Sequence, residues 1–159
     1  MKSPTRITDR HDLSKFECAH DELSKWLKDR SLKNDGSGAS KTYVVCDEDD
    51  MTVIGYYALA TGAVDNAEAP GSIKRNMPSP IPAIILGRLA VHRSWAGKGI
   101  GKGLLKDATL RSLQAAELVG VRALLCHSID ENAKSFYIKH GFLESPLNPL
   151  TVMINLSKK

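Results

Sequence analysis

Gly97-Lys98-Gly99-Ile100-Gly101-Lys102-Gly103 follows the apolar run Ala83-Ile84-Ile85-Leu86-Gly87-Arg88-Leu89-Ala90-Val91 after only His92-Arg93-Ser94-Trp95-Ala96, and it leads into the helical pattern of Leu104, Leu105 and Ala108. A nearly unbroken apolar run suits a strand covered on both faces, at the centre of a sheet. Four glycines in seven residues leave backbone N–H groups unshielded, and the helix that follows brings the positive end of its dipole to the same place. The loop reads as a seat for an anion, above all a phosphate. The competing reading is a flexible glycine turn that only starts a helix.

The spacing separates the nucleotide chemistries that use such a loop. A Walker A loop needs Gly, four residues, then Gly-Lys-Ser/Thr; here position 96 is Ala96, and Gly101-Lys102 is followed by Gly103 rather than a hydroxyl. A dinucleotide fingerprint starting at Gly97 would place its third glycine at Lys102, and one starting at Gly99 would place it at Leu104. Both patterns fail.

Outward from the loop, Leu104, Leu105, Ala108, Ala115, Ala116 and Val119 line one face of a long helix, with Ser112 interrupting. Arg122 to His127 reads as a strand, Glu131 to His140 as a short helix closed by Gly141, and Leu150 to Leu156 as a last strand. On the N-terminal side, Leu23, Trp26 and Leu27 give an amphipathic helix from Asp21 to Lys33, stopped by the loop Asn34-Asp35-Gly36-Ser37-Gly38. Thr42 to Cys46 and Thr52 to Ala60 flank the acidic turn Asp47-Glu48-Asp49-Asp50 as an antiparallel hairpin. Between residues 62 and 82, Gly62, Pro70, Gly71, Pro78, Pro80 and Pro82 mark a long loop with room for a short helical piece. The order expected is α, ββ, β, α, β, α, β.

With 159 residues, 42% apolar and 25% charged, the chain fits one domain, residues 1–159, with length enough for a real core. No apolar run approaches the ~20 residues of a membrane span, and Met1-Lys2-Ser3-Pro4-Thr5-Arg6 lacks the apolar segment of a signal peptide, so a cytoplasmic protein with no membrane partner is expected. Cys18, Cys46 and Cys126 form no CxxC pair and read as buried thiols; no metal site is expected, and a cysteine nucleophile is the weaker alternative. A net charge of +4 suits an anionic cofactor and an RNA partner but establishes neither.

The segment from His92 to Leu105 resembles the acetyl-CoA loop of the GNAT superfamily of N-acetyltransferases, written Q/R-x-x-G-x-G/A, with Ala96 in place of the usual Gln or Arg. Downstream, Asp130-Glu131-Asn132-Ala133-Lys134-Ser135-Phe136-Tyr137-Ile138-Lys139-His140-Gly141-Phe142 resembles the same family's second signature, N-x-A-x-x-F/L-Y-x-x-x-G-F. The resemblance implies an α/β (α+β) GNAT fold: a central mixed, mostly antiparallel sheet of six to seven strands flanked by about four helices. It implies acetyl-CoA as cofactor, its pyrophosphate on the backbone amides of Gly97, Lys98, Gly99, Ile100, Gly101, Lys102 and Gly103, and its pantetheine arm along Leu89, Ala90 and Val91.

Acetyl transfer to an amine expels the CoA thiolate, and a phenol that protonates it makes it a better leaving group. By the resemblance Tyr137 is that acid; taken alone, it reads as core beside Phe136 and Phe142. The resemblance implies that Asn132 is a ligand of the cofactor arm; by its position near a helix start it reads as much as a cap. No Asp or Glu on the central strands stands out as a general base; His92 and His127 are candidates, each also read as structural or solvated. An α-amino group, with a pKa of about 7.7 against about 10.4 for lysine, needs little help from a base at cellular pH.

The segments Leu23-Ser24-Lys25-Trp26-Leu27-Lys28-Asp29-Arg30-Ser31-Leu32-Lys33-Asn34, Gly36 to Val45, Gly55 to Ala60 and Leu86 to Val91 are similar to the acetyltransferase toxins of bacterial type II toxin–antitoxin modules. That resemblance implies acetylation of the α-amino group of an aminoacyl-tRNA, which blocks translation. It further implies a ribbon-helix-helix antitoxin, contact with DNA only through that antitoxin, and a homodimer. Arg30, Lys33, Lys41, Lys74, Arg75, Arg88, Arg93 and Lys98 are candidates for tRNA phosphates, with Lys74, Arg75 and Lys98 preferred; each also reads as ordinary solvated surface. Two other functions stay open: acetylation of a small amine or protein N-terminus, and a non-catalytic CoA-binding module.

Overall fold

The computed structural model describes residues 2–157. Its N-terminal helical region is two helices rather than one, α1 (Asp21–Asp29) and α2 (Ser31–Ser37), broken at Arg30 with φ −125° and ψ −28°. The expected stop at Asn34-Asp35-Gly36-Ser37 is therefore helical, and the chain turns only at Gly38, in the left-handed region at φ 84°. Tertiary contacts override the weak helix propensity of these residues. The Asp35 carboxylate accepts from the Arg6 guanidinium and from the Thr42 amide, and the buried Ser31 hydroxyl donates to Leu27 O.

β1 (Thr5–Arg6) pairs antiparallel with β2 (Lys41–Cys46), and β2 pairs antiparallel with β3 (Val53–Val64) in the expected hairpin. The hairpin turn is tied by Asp49, which accepts from the Met51 and Thr52 amides and from the Thr52 hydroxyl. β3 runs four residues beyond Ala60, through the start of the expected loop. Gly62 does not break it, because Ile85 occupies the space a side chain there would fill. A 3-10 turn at Asn66–Glu68 and the four-residue helix α3 (Gly71–Lys74) follow before β4 (Ile81–Val91). Pro82 lies inside β4, where its carbonyl accepts from the Arg122 amide.

α4 (Ile100–Leu118) buries Leu104, Leu105, Ala108 and Ser112. Ser112 belongs to this face rather than interrupting it, whereas Val119, beyond the last turn, is 60% exposed. β5 (Ala123–His127), α5 (Glu131–Lys139), the two-residue strand β6 (Leu143–Glu144) and β7 (Thr151–Asn155) complete the chain. One seven-stranded sheet results, in the order β1-β2-β3-β4-β5-β7-β6. β4 and β5 pair in parallel over Ala83–Ile85 and Ala123–Leu125; the β5–β7 and β6–β7 ladders are antiparallel. The α/β expectation of a mixed, mostly antiparallel sheet of six to seven strands holds, with five α-helices among the described residues in place of about four.

The chain divides into two compact units, one comprising residues up to Ala60 together with Gly87–Ala108, the other Thr61–Leu86 together with the chain from Thr109 onward. The first has a core of Phe16, Leu27, Val44, Val53, Tyr56 and Ala90; the second packs Val64, Ala69, Ile73, Ile81, Leu125 and Met153. Among the described residues no helix is long and apolar enough to cross a membrane.

Candidate functional site

In the first unit, the approach to the glycine loop is fixed before the loop begins. After β4, the His92 amide donates to Ile54 O at 2.7 Å and the Arg93 amide to Glu17 O at 2.8 Å. His92 caps the following 3-10 turn, Arg93–Trp95, by accepting from the Ser94 amide at Nδ1, while Nε2 lies 3.0 Å from Lys15 O. Nδ1 as acceptor leaves Nε2 as the protonated donor. Both nitrogens are committed, so His92 is structural rather than a general base.

Gly97 and Gly99 have φ of 76° and 84°, a region L side chains rarely enter. No atom lies within 4 Å of where a side chain on either would begin, so the loop's backbone is open to a ligand. α4 then starts at Ile100, whose buried side chain is 5% exposed and anchors the first turn. The Gly103 amide donates to Gly99 O at 3.1 Å. Gly103 is thereby withdrawn from the expected phosphate seat, because its N–H is the first to close a helical ring. Helix geometry leaves the preceding N–H groups, Gly99, Ile100, Gly101 and Lys102, without i−4 acceptors. With the amides of Gly97 and Lys98 and the dipole of a 19-residue helix, this donor set fits a pyrophosphate. Ala96 contributes no polar side chain; Lys98 is exposed, its Nζ 5.3 Å from the Trp95 ring centroid.

Upstream on β4, Ala90 is buried in the first core while Leu89 and Val91 are half-buried. The alternation of a strand directs Ala90 inward, leaving only its backbone for a ligand, and puts Leu89 and Val91 on the opposite face. Beside the loop, Ile54, Cys46, Trp95, Lys98 and Ile100 line an open cavity of about 520 Å³. Burial, reinforced by Asp49 and Asp50, pushes the half-buried Cys46 thiol up to about 11, so it is not a thiolate nucleophile near neutrality. Cys18 and Cys126 are buried as expected, and the Cys126 thiol is likewise raised to about 11 by burial.

Tyr137 belongs to the second unit. Asp130, not Asn132, caps α5: its carboxylate accepts from the Ala133 amide at 2.8 Å, while Asn132 is exposed in the first turn. The cap reading of Asn132 therefore fails. The Tyr137 ring packs edge-on to Phe136 at 5.3 Å and tilted to Phe142 at 5.4 Å, and the residue is only 5% exposed. The Cys126 thiol of β5 is the polar neighbour of the Tyr137 phenol. Burial first, then Cys126, raises the phenol well above its ordinary range, so it holds its proton throughout neutral pH. Nothing in the sequence pairs Cys126 with Tyr137; an alternating strand next to a capped helix is the only trace. His127 is exposed, with Nδ1 2.9 Å from the Thr151 hydroxyl.

The basic candidates divide by what they already bind. Arg93 donates to Cys18 O and lies 3.8 Å from Glu17, and Lys41 donates to Asp35 O. Both serve the first unit's own structure. Arg30, Lys33 and Lys98 are exposed in that unit, and Lys74 and Arg75 are exposed at the end of α3 in the second. The α3 segment is held by Arg122, whose guanidinium donates to the carbonyls of Ile73, Ser72 and Arg75. Arg88 is half-buried, its guanidinium carbon 4.4 Å from the Trp26 ring centroid. The sequence points to Arg88 but not to Trp26, because a tryptophan at helical spacing reads simply as core. Among the described residues no group of three or more His, Cys, Asp or Glu could hold a metal ion.

A mixed sheet feeding a glycine loop and a helix whose first amides lack helical acceptors defines a seat for an anionic ligand. A family model described as an acetyltransferase (GNAT) domain matches residues 39–144. A tRNA-acetylating toxin of Mycobacterium tuberculosis is 43% identical over 152 residues, covering 96% of this chain and 90% of that protein. AtaT complexed with acetyl-methionyl-tRNAfMet aligns at a TM-score of 0.89 and 27% identity, over 96% of this chain and 94% of that one. A Tyr-to-Phe mutant of the AtaT toxin, bound to the C-terminus of the antitoxin AtaR and acetyl-CoA, aligns at 0.81 and 25% identity, over 97% and 92%. The chain belongs to the GNAT acetyltransferase family and is an acetyl-CoA-dependent N-acetyltransferase.

Proposed function

We propose that this protein is a toxin that transfers the acetyl group of acetyl-CoA to the α-amino group of an aminoacyl-tRNA and so blocks translation. The observation that carries this is the 43% identity, over 96% of the chain, to a tRNA-acetylating toxin. In this reading the amides from Gly97 to Lys102 hold the pyrophosphate. Leu89, Val91 and the backbone of Ala90 line the pantetheine arm, and Asn132 contacts that arm.

Tyr137 is the acid. As the C–N bond forms and the acetyl C–S bond breaks, the phenol proton passes to the leaving thiolate; the nitrogen, cationic once it has added, gives up a proton to solvent, and the phenolate is reprotonated from there. Its raised pKa keeps the proton in place until that moment. No side chain is assigned as base, because an α-amine with a pKa of about 7.7 is substantially neutral at cellular pH. Lys74, Arg75, Arg88 and Lys98 meet phosphates of the tRNA. A ribbon-helix-helix antitoxin that carries the DNA contacts, a homodimer and a cytoplasmic location complete the reading. The AtaT complex with the C-terminus of AtaR supports the antitoxin.

The test is incubation with labelled acetyl-CoA and, in parallel, charged tRNA, deacylated tRNA and small primary amines. Label is expected on charged tRNA alone, released by mild alkali as an N-acetyl amino acid. Label on the small amines with none on charged tRNA assigns the enzyme to a different acceptor and overturns the proposal.

A further inference from the structure

The structurally placed arginines mostly commit their donors to the protein itself. Arg6 bonds Asp35, Arg93 bonds Cys18 O, and Arg122 bonds three carbonyls around α3. Arg88 differs. It is half-buried on β4 between Gly87 and Leu89, its guanidinium rests over the Trp26 indole at 4.4 Å, and among the described residues no carboxylate or carbonyl takes its N–H groups. Stacking occupies the face of a guanidinium and leaves its edge, with five N–H donors in one plane, available.

The indole is itself held. Trp26 stacks on Tyr56 at 5.9 Å with 10° between the planes, Tyr56 is fully buried, and its hydroxyl donates to Leu23 O at 2.7 Å in α1, the helix that carries Trp26. An arginine oriented through such a chain has lost its rotamer freedom before any ligand arrives, which lowers the entropic cost of binding. Its planar fork matches two oxygens of a phosphodiester.

We infer that Arg88 is the seat of a phosphodiester of the acceptor strand close to the charged 3′ end, and that Trp26 is the positioning residue that aims it. The inference rests on the proposed tRNA substrate. Phosphodiesters are the anions that substrate carries near its reacting amine, and Arg88 immediately precedes the Leu89–Val91 segment assigned above to the donor's arm. The same chemistry could come from the phosphates of CoA, and the experiment separates the two.

Acetylation of charged tRNA by the unaltered enzyme is measured first; failure there removes the proposed substrate and is read before any variant. KM for charged tRNA is then measured from roughly 50 to 200 mM salt, where each single-strand phosphate contact contributes about 0.7 to the log–log slope. In parallel the Kd of acetyl-CoA is measured for R88A, R88K, W26L and W26F, with thermal melts to establish that each is folded. R88A is expected to raise KM for tRNA several-fold, to lower the slope by about 0.7 and to leave the acetyl-CoA Kd unchanged. R88K should recover the slope more than the affinity, because it restores the charge without the fork. W26L should raise KM with kcat retained, and W26F should restore KM.

A proportional loss of acetyl-CoA binding in R88A would put a cofactor phosphate on Arg88 and overturn the inference, as would an unchanged slope. W26F as poor as W26L would overturn the positioning role of Trp26 and reduce it to packing.

Discussion

Tyr137 combines a ring that belongs to the core with a hydroxyl proposed as the acid, and the two are separable by one atom. Tyr137→Phe keeps the contacts with Phe136 and Phe142 and removes only the hydroxyl. Its cost in stability should be small, about 1 kcal/mol or less, because the ring packing is kept. Its cost in kcat should be about 100-fold or more, in the range of a lost general acid. A folded Phe variant with near-normal kcat removes Tyr137 from the mechanism. Because burial raises the phenol, no activity loss from its ionisation should appear below about pH 10, and the rise of kcat/KM with pH should follow the α-amine near about 7.7. The sequence leaves both roles of Tyr137 open. Neither the closeness of Cys126 to the Tyr137 phenol nor the commitment of both His92 nitrogens is legible there, since each depends on partners brought together by folding.

At the scale of elements, two junctions carry measurable consequences. α2 is held to β1 and β2 through Asp35. Burial raises its carboxyl, but the Arg6 and Thr42 hydrogen bonds and the Arg6 and Lys41 charges outweigh that and hold it below the usual carboxylate range. A depressed folded pKa gives stability that is complete above the unfolded value of about 3.9 and is lost as pH falls through the lower folded value. Asp35→Asn should therefore destabilise at neutral pH by about 1–2 kcal/mol, a figure reduced because Arg6 is about half exposed, and the difference from the unaltered protein should shrink below about pH 4 in urea melts. The second junction is Gly55 of β3. A side chain there would begin 3.0 Å from Val45 Cγ2 and 3.1 Å from both Ile100 Cγ2 and Leu104 Cδ1. Three neighbours would have to yield together, two of them in the first turns of α4. Gly55→Ala should cost about 1–3 kcal/mol by overpacking, and because it displaces the helix start it should also weaken acetyl-CoA binding in calorimetry. An alanine variant with unaltered acetyl-CoA affinity disconnects β3 from the pyrophosphate seat.

For the molecule as a whole, a net charge of +4 is modest, so tRNA affinity should depend on where cations are placed rather than on their number. Lys74 and Arg75 are exposed at the end of a four-residue helix that could not stand alone. Arg122 of the segment leading into β5 fastens that helix by three carbonyls, and Asn155 of β7 adds a further hydrogen bond at Ser72 O. Neutralising Lys74 and Arg75 together should raise KM for charged tRNA several-fold and flatten its salt dependence by about 0.7–0.9 for each phosphate they neutralise, while the acetyl-CoA Kd stays the same. Equal weakening of both affinities places these residues outside a tRNA-binding role.

Local pattern by itself determined the hairpin, the apolar β4, the glycine loop and the long helix after it, because each is written in contiguous residues whose periodicity or backbone freedom dictates one conformation. The glycine spacing also excluded a Walker A loop and a dinucleotide fingerprint, while acetyl-CoA followed from the resemblance of the two signature segments. Tertiary structure decided what local pattern left undetermined. β1 and β6 are two residues each, too short for any period, and exist only because β2 and β7 offer them a ladder. Asn34 to Ser37 became helix because Asp35 found Arg6 and Thr42, and β3 passed through Gly62 because Ile85 fills that space. Within the loop, folding drew the boundary between Lys102, whose amide is left outside the helical ladder, and Gly103, whose amide closes its first ring; a sequence of glycines carries no mark of which N–H a helix will consume.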